Sequence, residues 1–520
     1  MKSAIIYSDK TVPNDSASSD DHTNADDVRL AELGYRSEFK REFSLIETIA
    51  FSFSIMAVIG GVSSTLSFPL VSGGHVGMVF GWLIPCLFIM CIAGSMAELA
   101  SSMPTSAGLY YFSAKLAPEG YEALASWITG WANVTGQVTL VCSIDYTVAQ
   151  MITTAIAVGT DGSIVLGAGP TYGILLAILF VHGVICSAAT KILARLNLFY
   201  GTLTPTIIAL LVCSGDQKVS TKDAFTMFEN NTGWANGSTT ALCVGTILIF
   251  STSCIDDSAA HISEEVAGAA RAAPIAILVS CAAVGGLGWL LLIAASFATV
   301  SVPSLLETEL ALPMGQLLLD VVGKKGMMAI WSFTIIAQFL CGAAQGVDAS
   351  RVVFAFARDN ALPGSRWWKR INPYTQTPVN AVWLVIVLAA ICGLLGFSAT
   401  AFNSLAGASV IGLYTSYGTP IFLRVTSGRR KLAQGPFSLG KWSTPIGSVA
   451  VAWIAFIVVL LSFPPDRHTN AKEMNYAAVI ILAVFIFASA SWLLSARKWF
   501  VGPLSNIGSV DSSTSSVEEK

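Results

Sequence analysis

Charge is what this sequence has least of. Asp, Glu, Lys and Arg make up 12% of its 520 residues, where soluble domains carry about 25%. With a mean hydropathy of +0.66, that excludes an ordinary soluble domain. The net charge of −3 is too small to call for nucleic acid or another polyanion. Metal-binding and redox patterns are missing too. None of the ten cysteines forms a CxxC pair or joins His at metal spacing, and all lie in or beside apolar segments. They read as small hydrophobes in helix packing. There is no Walker loop and no nucleophile–base constellation, so the sequence offers neither ATP-driven pumping nor enzyme chemistry. No cofactor or metal is expected. A cleavable leader is not expected either, because MKSAIIYSDK has an apolar core of only AIIY.

Long apolar runs are what remain. They read as twelve helical spans, at 43–71, 75–98, 122–150, 169–189, 194–213, 239–266, 274–299, 326–357, 379–397, 402–424, 445–463 and 474–496. Only helices satisfy their own backbone in lipid, so the expectation is an all-α polytopic membrane protein. Residues 1–42 read as a disordered tail, 43–424 as a core of ten helices, 425–496 as two further helices and 497–520 as a second tail. With both termini cytoplasmic, the outer loops hold only Lys218, Lys222, Lys324, Lys325, Arg467 and Lys472, and all other basic residues fall inside. Loop 214–238 would then be outside, where its sequons at Asn230 and Asn236 could carry glycans.

Two spans are interrupted. The first reads SIMAVIGGVSSTLSFPL, with Gly60 and Gly61 followed by Val62, Ser63 and Ser64 in mid-span. Each Gly costs a helix interior about 1 kcal/mol against Ala, so unwinding is expected here, with close helix packing as the bland alternative. The sixth reads STSCIDDSAAHISEE and places Cys254, Ile255, Asp256 and Asp257 at membrane depth. Unwound backbone there is tolerable only around a cavity. Freed N–H groups would hold an anionic group, and freed C=O groups an ammonium or cation. Asp257 could alternatively cap the half-helix that begins after it. Asp257, His261 and Glu264 share a helix face, which suggests a proton route or gate. Glu265 reads as an interfacial carboxylate, since Arg271 and Pro274 come soon after it. Asp145 either pairs with another helix or reaches the interface. His75 and His182 read as packing or interfacial residues. The loop GSRWWKRINPYTQTP reads as an interfacial belt.

Several stretches together are more specific: LAELGYRSEFKREFS, AELASSMPTSAGLYYFSAKLAP, ASWITGWANVTGQ, DSAAHISEE, ASRVVFAFARDNALPGS and TPVNAVWL. Over about residues 30–425 the chain resembles the amino acid–polyamine–organocation superfamily. Within it, the likeness is to the amino acid/choline permease branch, which includes fungal 4-aminobutyrate (GABA) permeases. The resemblance implies a leucine-transporter-type fold: a 5+5 inverted repeat with helices one and six broken, plus two peripheral helices. It implies secondary transport of amino acids or related amines by alternating access, commonly proton-driven; the sequon-bearing outer loop points to a plasma membrane, with a vacuolar membrane second. It makes Gly60, Gly61, Val62, Ser63 and Ser64 candidate substrate contacts. The family's sixth-helix pattern, Gly-aromatic-Asp with His four residues after the Asp, puts Asp257 on the family Asp. Asp256 then replaces the ring and Ile255 the Gly, which puts GABA specificity in doubt and favours a more cationic substrate. Asn360 replaces the usual Gly of ARDGALP, a change expected to touch only the turn. A choline or polyamine permease, or a non-cycling nutrient sensor of the same fold, is the alternative.

Overall fold

The computed structural model describes residues 27–35, 43–188, 200–215, 217–232, 258–463 and 475–504. The regular structure among them is helical. The longer elements in the first half are α1 Leu45–Met56, α2 Val58–Thr65, α3 Gly74–Ser102, α4 Gly108–Leu116, α5 Glu122–Gly159, α6 Ala168–Ala188 and α7 Tyr200–Cys213. The second half adds the single turn α8 Ser258–His261, then α9 Ala269–Ala298, α10 Pro313–Arg358, α11 Val379–Cys392, α12 Ala399–Val425, α13 Ser443–Leu460 and α14 Ala477–Leu494. Nine helices among the described residues are long and apolar enough to cross a bilayer. The chain is an integral membrane protein.

α5 is the spine. α10 and α12 both run along it, α9 lies along α3, and α1 packs against α9 and α10. Small residues allow these approaches. A Cβ on Gly130 would come within 2.2 Å of the Phe356 ring, and one on Gly288 within 2.2 Å of Trp82. Such contacts are how helices associate where lipid supplies no hydrophobic drive.

α12 is not among the nine apolar helices, although it has 27 residues. Its Ser404, Ser409, Ser416, Tyr414 and Tyr417 are buried, because α12 is flanked by α5, α13 and α14 rather than lipid. A helix that faces protein does not need a lipid-soluble surface. α10 is two helices joined at Gly323, where φ 70 and ψ 174 break the ladder. That is why the apolar run starts near 326 while helical structure begins at Pro313.

Two expectations change. Residues 27–35 belong to the packed structure: Leu30 and Tyr35 are buried, and Arg29 donates to the carbonyls of Ser101 and Ser102. At the other end Phe500 stacks edge-on against Trp127 at 5.1 Å, which likewise places the start of 497–520 against the bundle. Asn360 adopts φ 62. This left-handed turn explains the usual glycine there, and Asn tolerates it better than other side chains do.

Candidate functional site

The first span does break, just ahead of the glycines on which the sequence placed the break. Ala57 sits at φ 39, ψ 63, in the left-handed region, and separates α1 from α2. Gly60, Gly61, Val62, Ser63 and Ser64 are helical, contrary to the expected unwinding, and lie in the first turns of α2. The residue that precedes it, Ala57, offers no side-chain cap, so the first N–H groups, from Val58 to Gly60, are turned towards the break. The turned N–H groups therefore belong to the start of α2 rather than to an unwound stretch at Gly60 to Ser64. Ser63 and Ser64 donate to the carbonyls of Ile59 and Gly61 at 2.6 and 2.9 Å, which leaves their lone pairs as acceptors.

Packing against α10 explains Gly60. A Cβ there would lie 1.5 Å from Gln338 Oε1. Gln338 is buried, and that oxygen has no hydrogen-bond partner among the described residues. Three residues on, Cys341 Sγ donates to the Ile55 carbonyl at 3.3 Å, an oxygen next to the break. Neither residue stands out in the sequence, although a Gln inside an apolar span is a usable signal.

Cys254, Ile255, Asp256 and Asp257 lie outside the described residues. The turn α8 and the residues after it face the first span. Ser258 Oγ is 3.1 Å from Ser52 Oγ. The chain around Phe43 forms a short bridge with the end of this segment, Phe43 N–H donating to the Glu265 carbonyl at 3.1 Å and Ala267 N–H to the Phe43 carbonyl at 3.1 Å. His261 is buried between Asn133, 3.1 Å from Nε2, and the Ser106 carbonyl, 3.4 Å from Nδ1.

Both glutamates are buried and paired, which corrects the interfacial reading of Glu265. Arg351 Nε donates to Glu265 Oε1 at 2.7 Å, and Nη2 to Oε2 at 3.4 Å. Arg358 donates to both oxygens of Glu264 at 3.3 Å. Glu264 also accepts from Thr105 Oγ1 and the Ser106 N–H, each at 3.1 Å. Arg351 and Arg358 are two helical turns apart on one face of α10, so adjacent carboxylates clamp one side of that helix. The sequence hides this because partners some ninety residues away leave no local pattern.

Beyond the clamp lies a plug built from both ends of the chain. Arg358 stacks on the Tyr35 ring, 4.3 Å from its centroid. Tyr110 and Tyr35 donate to Asp359 Oδ2 at 2.8 and 3.4 Å, and the Leu504 N–H donates to Oδ1 at 3.1 Å. Burial pushes the Asp359 carboxyl up to about 6, against the lowering pull of Arg358. The packed plug thus binds a proton more tightly than a free carboxyl does. Its stability is greatest below the ordinary carboxylate range and is lost as pH rises through about 6. Hydrogen-exchange protection of the segment around Leu504, after correction for the intrinsic pH dependence of amide exchange, should therefore be higher at acid than at neutral pH. In Asp359→Asn that difference should vanish; an unchanged pH dependence in the variant would refute the assignment.

The remaining polar residues also have defined places. Asp145 does not reach an interface but pairs with His182, and both are buried. His75 meets Ser296 Oγ at 3.0 Å. In the belt loop, Trp367 and Tyr374 are exposed. In the loop at 214–238, Asn230 accepts from the hydroxyl of Thr232 at 2.6 Å, while Asn236 lies outside the described residues. No group of three or more His, Cys, Asp or Glu with metal-holding geometry occurs among the described residues.

The model of the amino acid permease family matches residues 43–486. Amino-acid permease BAT1 of Arabidopsis thaliana is 35% identical over 502 residues, covering 92% of this chain and 96% of that protein. An uncharacterized amino-acid permease of Schizosaccharomyces pombe is 36% identical over 500 residues, covering 93% and 91%. The GABA-specific permease of Saccharomyces cerevisiae is 35% identical over 505 residues, covering 94% and 87%. These relatives are transporters, not enzymes. A polytopic helical bundle with an interrupted first span matches them along almost its whole length, and the chain belongs to the amino acid permease family.

Proposed function

We propose that this permease imports an amino acid or related amine of the 4-aminobutyrate class by proton-coupled alternating access. Twelve spans would form the fold, with two five-helix inverted repeats within 43–424 and two peripheral helices within 425–496. The observation that carries the reading is the break at Ala57, whose side chain offers no cap to the start of α2 beside it. Such an interruption supplies N–H groups for a carboxylate, and the other side of the break supplies carbonyls for an amine. Gly60, Gly61, Val62, Ser63 and Ser64 would line the site from the first span. Cys254, Ile255, Asp256 and Asp257 would line it from the sixth, and Gln338 Oε1 offers a further acceptor. Asp257, His261 and Glu264 would form the gate or proton route towards the cytoplasm. Both termini would be cytoplasmic, since the basic residues concentrate on that side, and the sequon-bearing outer loop favours a plasma membrane. The relative named for GABA supports the substrate class. A carboxylate at Asp256, where a ring is usual, favours amine-rich substrates.

Competition against radiolabelled 4-aminobutyrate in proteoliposomes tests this. Amino acids, polyamines and choline would be compared at several pH values, with and without sodium, for wild type and Asp256→Tyr. The expected result is accumulation driven by a pH gradient without sodium, and a preference that moves from polyamine towards zwitterion in the variant. Binding without accumulation would mark a sensor. An unchanged preference would remove the role given to Asp256.

A further inference from the structure

Deep between α5, α6 and α10 lies a titratable couple that the proposed gate does not use. His182 Nδ1 is 3.0 Å from Asp145 Oδ2, and the two side chains are 1% and 0% exposed. Each keeps one polar atom with no hydrogen-bond partner among the described residues, Asp145 Oδ1 and His182 Nε2. α10 is shaped around them: a Cβ on Gly342 would lie 2.0 Å from Asp145 Oδ1 and 2.8 Å from His182 Cε1. Phe339, also on α10, packs tilted against the imidazole with ring centres 4.3 Å apart.

The other titratable groups facing the couple are Cys142 on α5 and Cys186 on α6, with Cys392 beyond the first and Arg351 beyond the second. Arg351 is already committed to Glu265. His182 is therefore the base in direct contact with this carboxylate. With Asp145 ionised and His182 neutral, Nδ1–H donates to Oδ2, Nε2 is bare, and the couple carries one negative charge away from water. That state is unfavourable at membrane depth. One proton on Nε2 converts it to an ion pair of zero net charge.

The same turn of α10 touches the broken span. Gln338 fills the space against Gly60, Cys341 donates to the Ile55 carbonyl, and Gly342 next to it faces the couple. A rearrangement around Asp145 and His182 would be felt at the break through adjoining faces of one helix turn.

We propose that Asp145 and His182 together carry the coupling proton, which is taken up at His182 Nε2 and released from it when the permease opens to the other side. This rests on the proton-coupled reading above. The proton is the species handled here; neither side chain is placed against the amino acid.

Asp145→Asn, His182→Gln and the double variant in proteoliposomes test the proposal, with a radiolabelled amino-acid mixture that includes 4-aminobutyrate. Accumulation under an imposed pH gradient should fall about ten-fold or more in each variant. Exchange at equal pH on both sides should persist and lose its dependence on pH. Wild-type accumulation in any variant that yields folded protein overturns the proposal: coupling then stands and the carrier lies elsewhere. Loss of exchange along with accumulation in all three also overturns it, because that marks a purely structural pair. If wild type exchanges label but ignores the pH gradient, proton coupling itself is wrong and this assignment falls with it.

Discussion

Arg358→Gln is expected to abolish concentrative uptake while leaving exchange intact. Arg358 joins three parts of the plug: Glu264 at the end of the sixth segment, the Tyr35 ring from the N-terminal segment, and Asp359 beside it. Removing one partner of a buried ion pair typically costs about 3–5 kcal/mol, because the other charge is left unpaired. That cost falls on the packed state, in which Glu264 is enclosed, and is relieved when this end opens to water. About 5.5 kcal/mol carries a two-state equilibrium from 1:99 to 99:1, and about half of that brings it to equal populations, so a loss of this size should leave the state with this end open the major one. Substrate would then exchange but not accumulate. The check is gradient-driven uptake beside counterflow in the same vesicles. Glu264→Gln combined with Arg358→Gln should recover part of the accumulation. If Arg358→Gln accumulates substrate like wild type, the plug is not a gate.

Arg351→Met should act on stability rather than on cycling. Its guanidinium is held by two bonds to Glu265, the side chains are 1% and 6% exposed, and Ser350 Oγ accepts a third bond at 3.1 Å. Stranding Glu265 should again cost about 3–5 kcal/mol, read as a lower unfolding midpoint in detergent. Arg351→Lys should recover only part of this, since an ammonium cannot reproduce the planar two-pronged contact. The double variant Arg351→Met with Glu265→Gln should regain most of the loss. A single variant that melts with wild type would show the pair to be dispensable.

Most of the described membrane helices are legible in the chain directly, because lipid imposes one rule on every lipid-facing helix and apolar length records it. The interruptions are harder. Two glycines in VIGGVSS suggest unwinding, yet Gly60 is glycine because the Gln338 amide needs its space, and the turn falls on Ala57. Alanine is the best helix former, so no local preference marks that position; the surrounding packing holds it there. Glu265 obeys the same logic. Its position near Arg271 suggests an interface, while its partner Arg351 sits in another helix. His182 is unremarkable alone and becomes informative only when α5 and α6 bring Asp145 within 3.0 Å. By contrast, the Asn in ARDNALP is legible as a turn residue, because a left-handed backbone restricts the residue types that can occupy it.

The composition of α12 has a practical consequence for topology mapping. On the twelve-span reading, a count of crossings made with a strict hydropathy threshold would skip Ala399–Val425, although its weaker run at 402–424 reads as a span, and would change the parity of everything downstream. Epitopes placed in the α13–α14 connection would then be assigned to the opposite face of the membrane, and reporter-fusion results would look contradictory when only the tally was wrong.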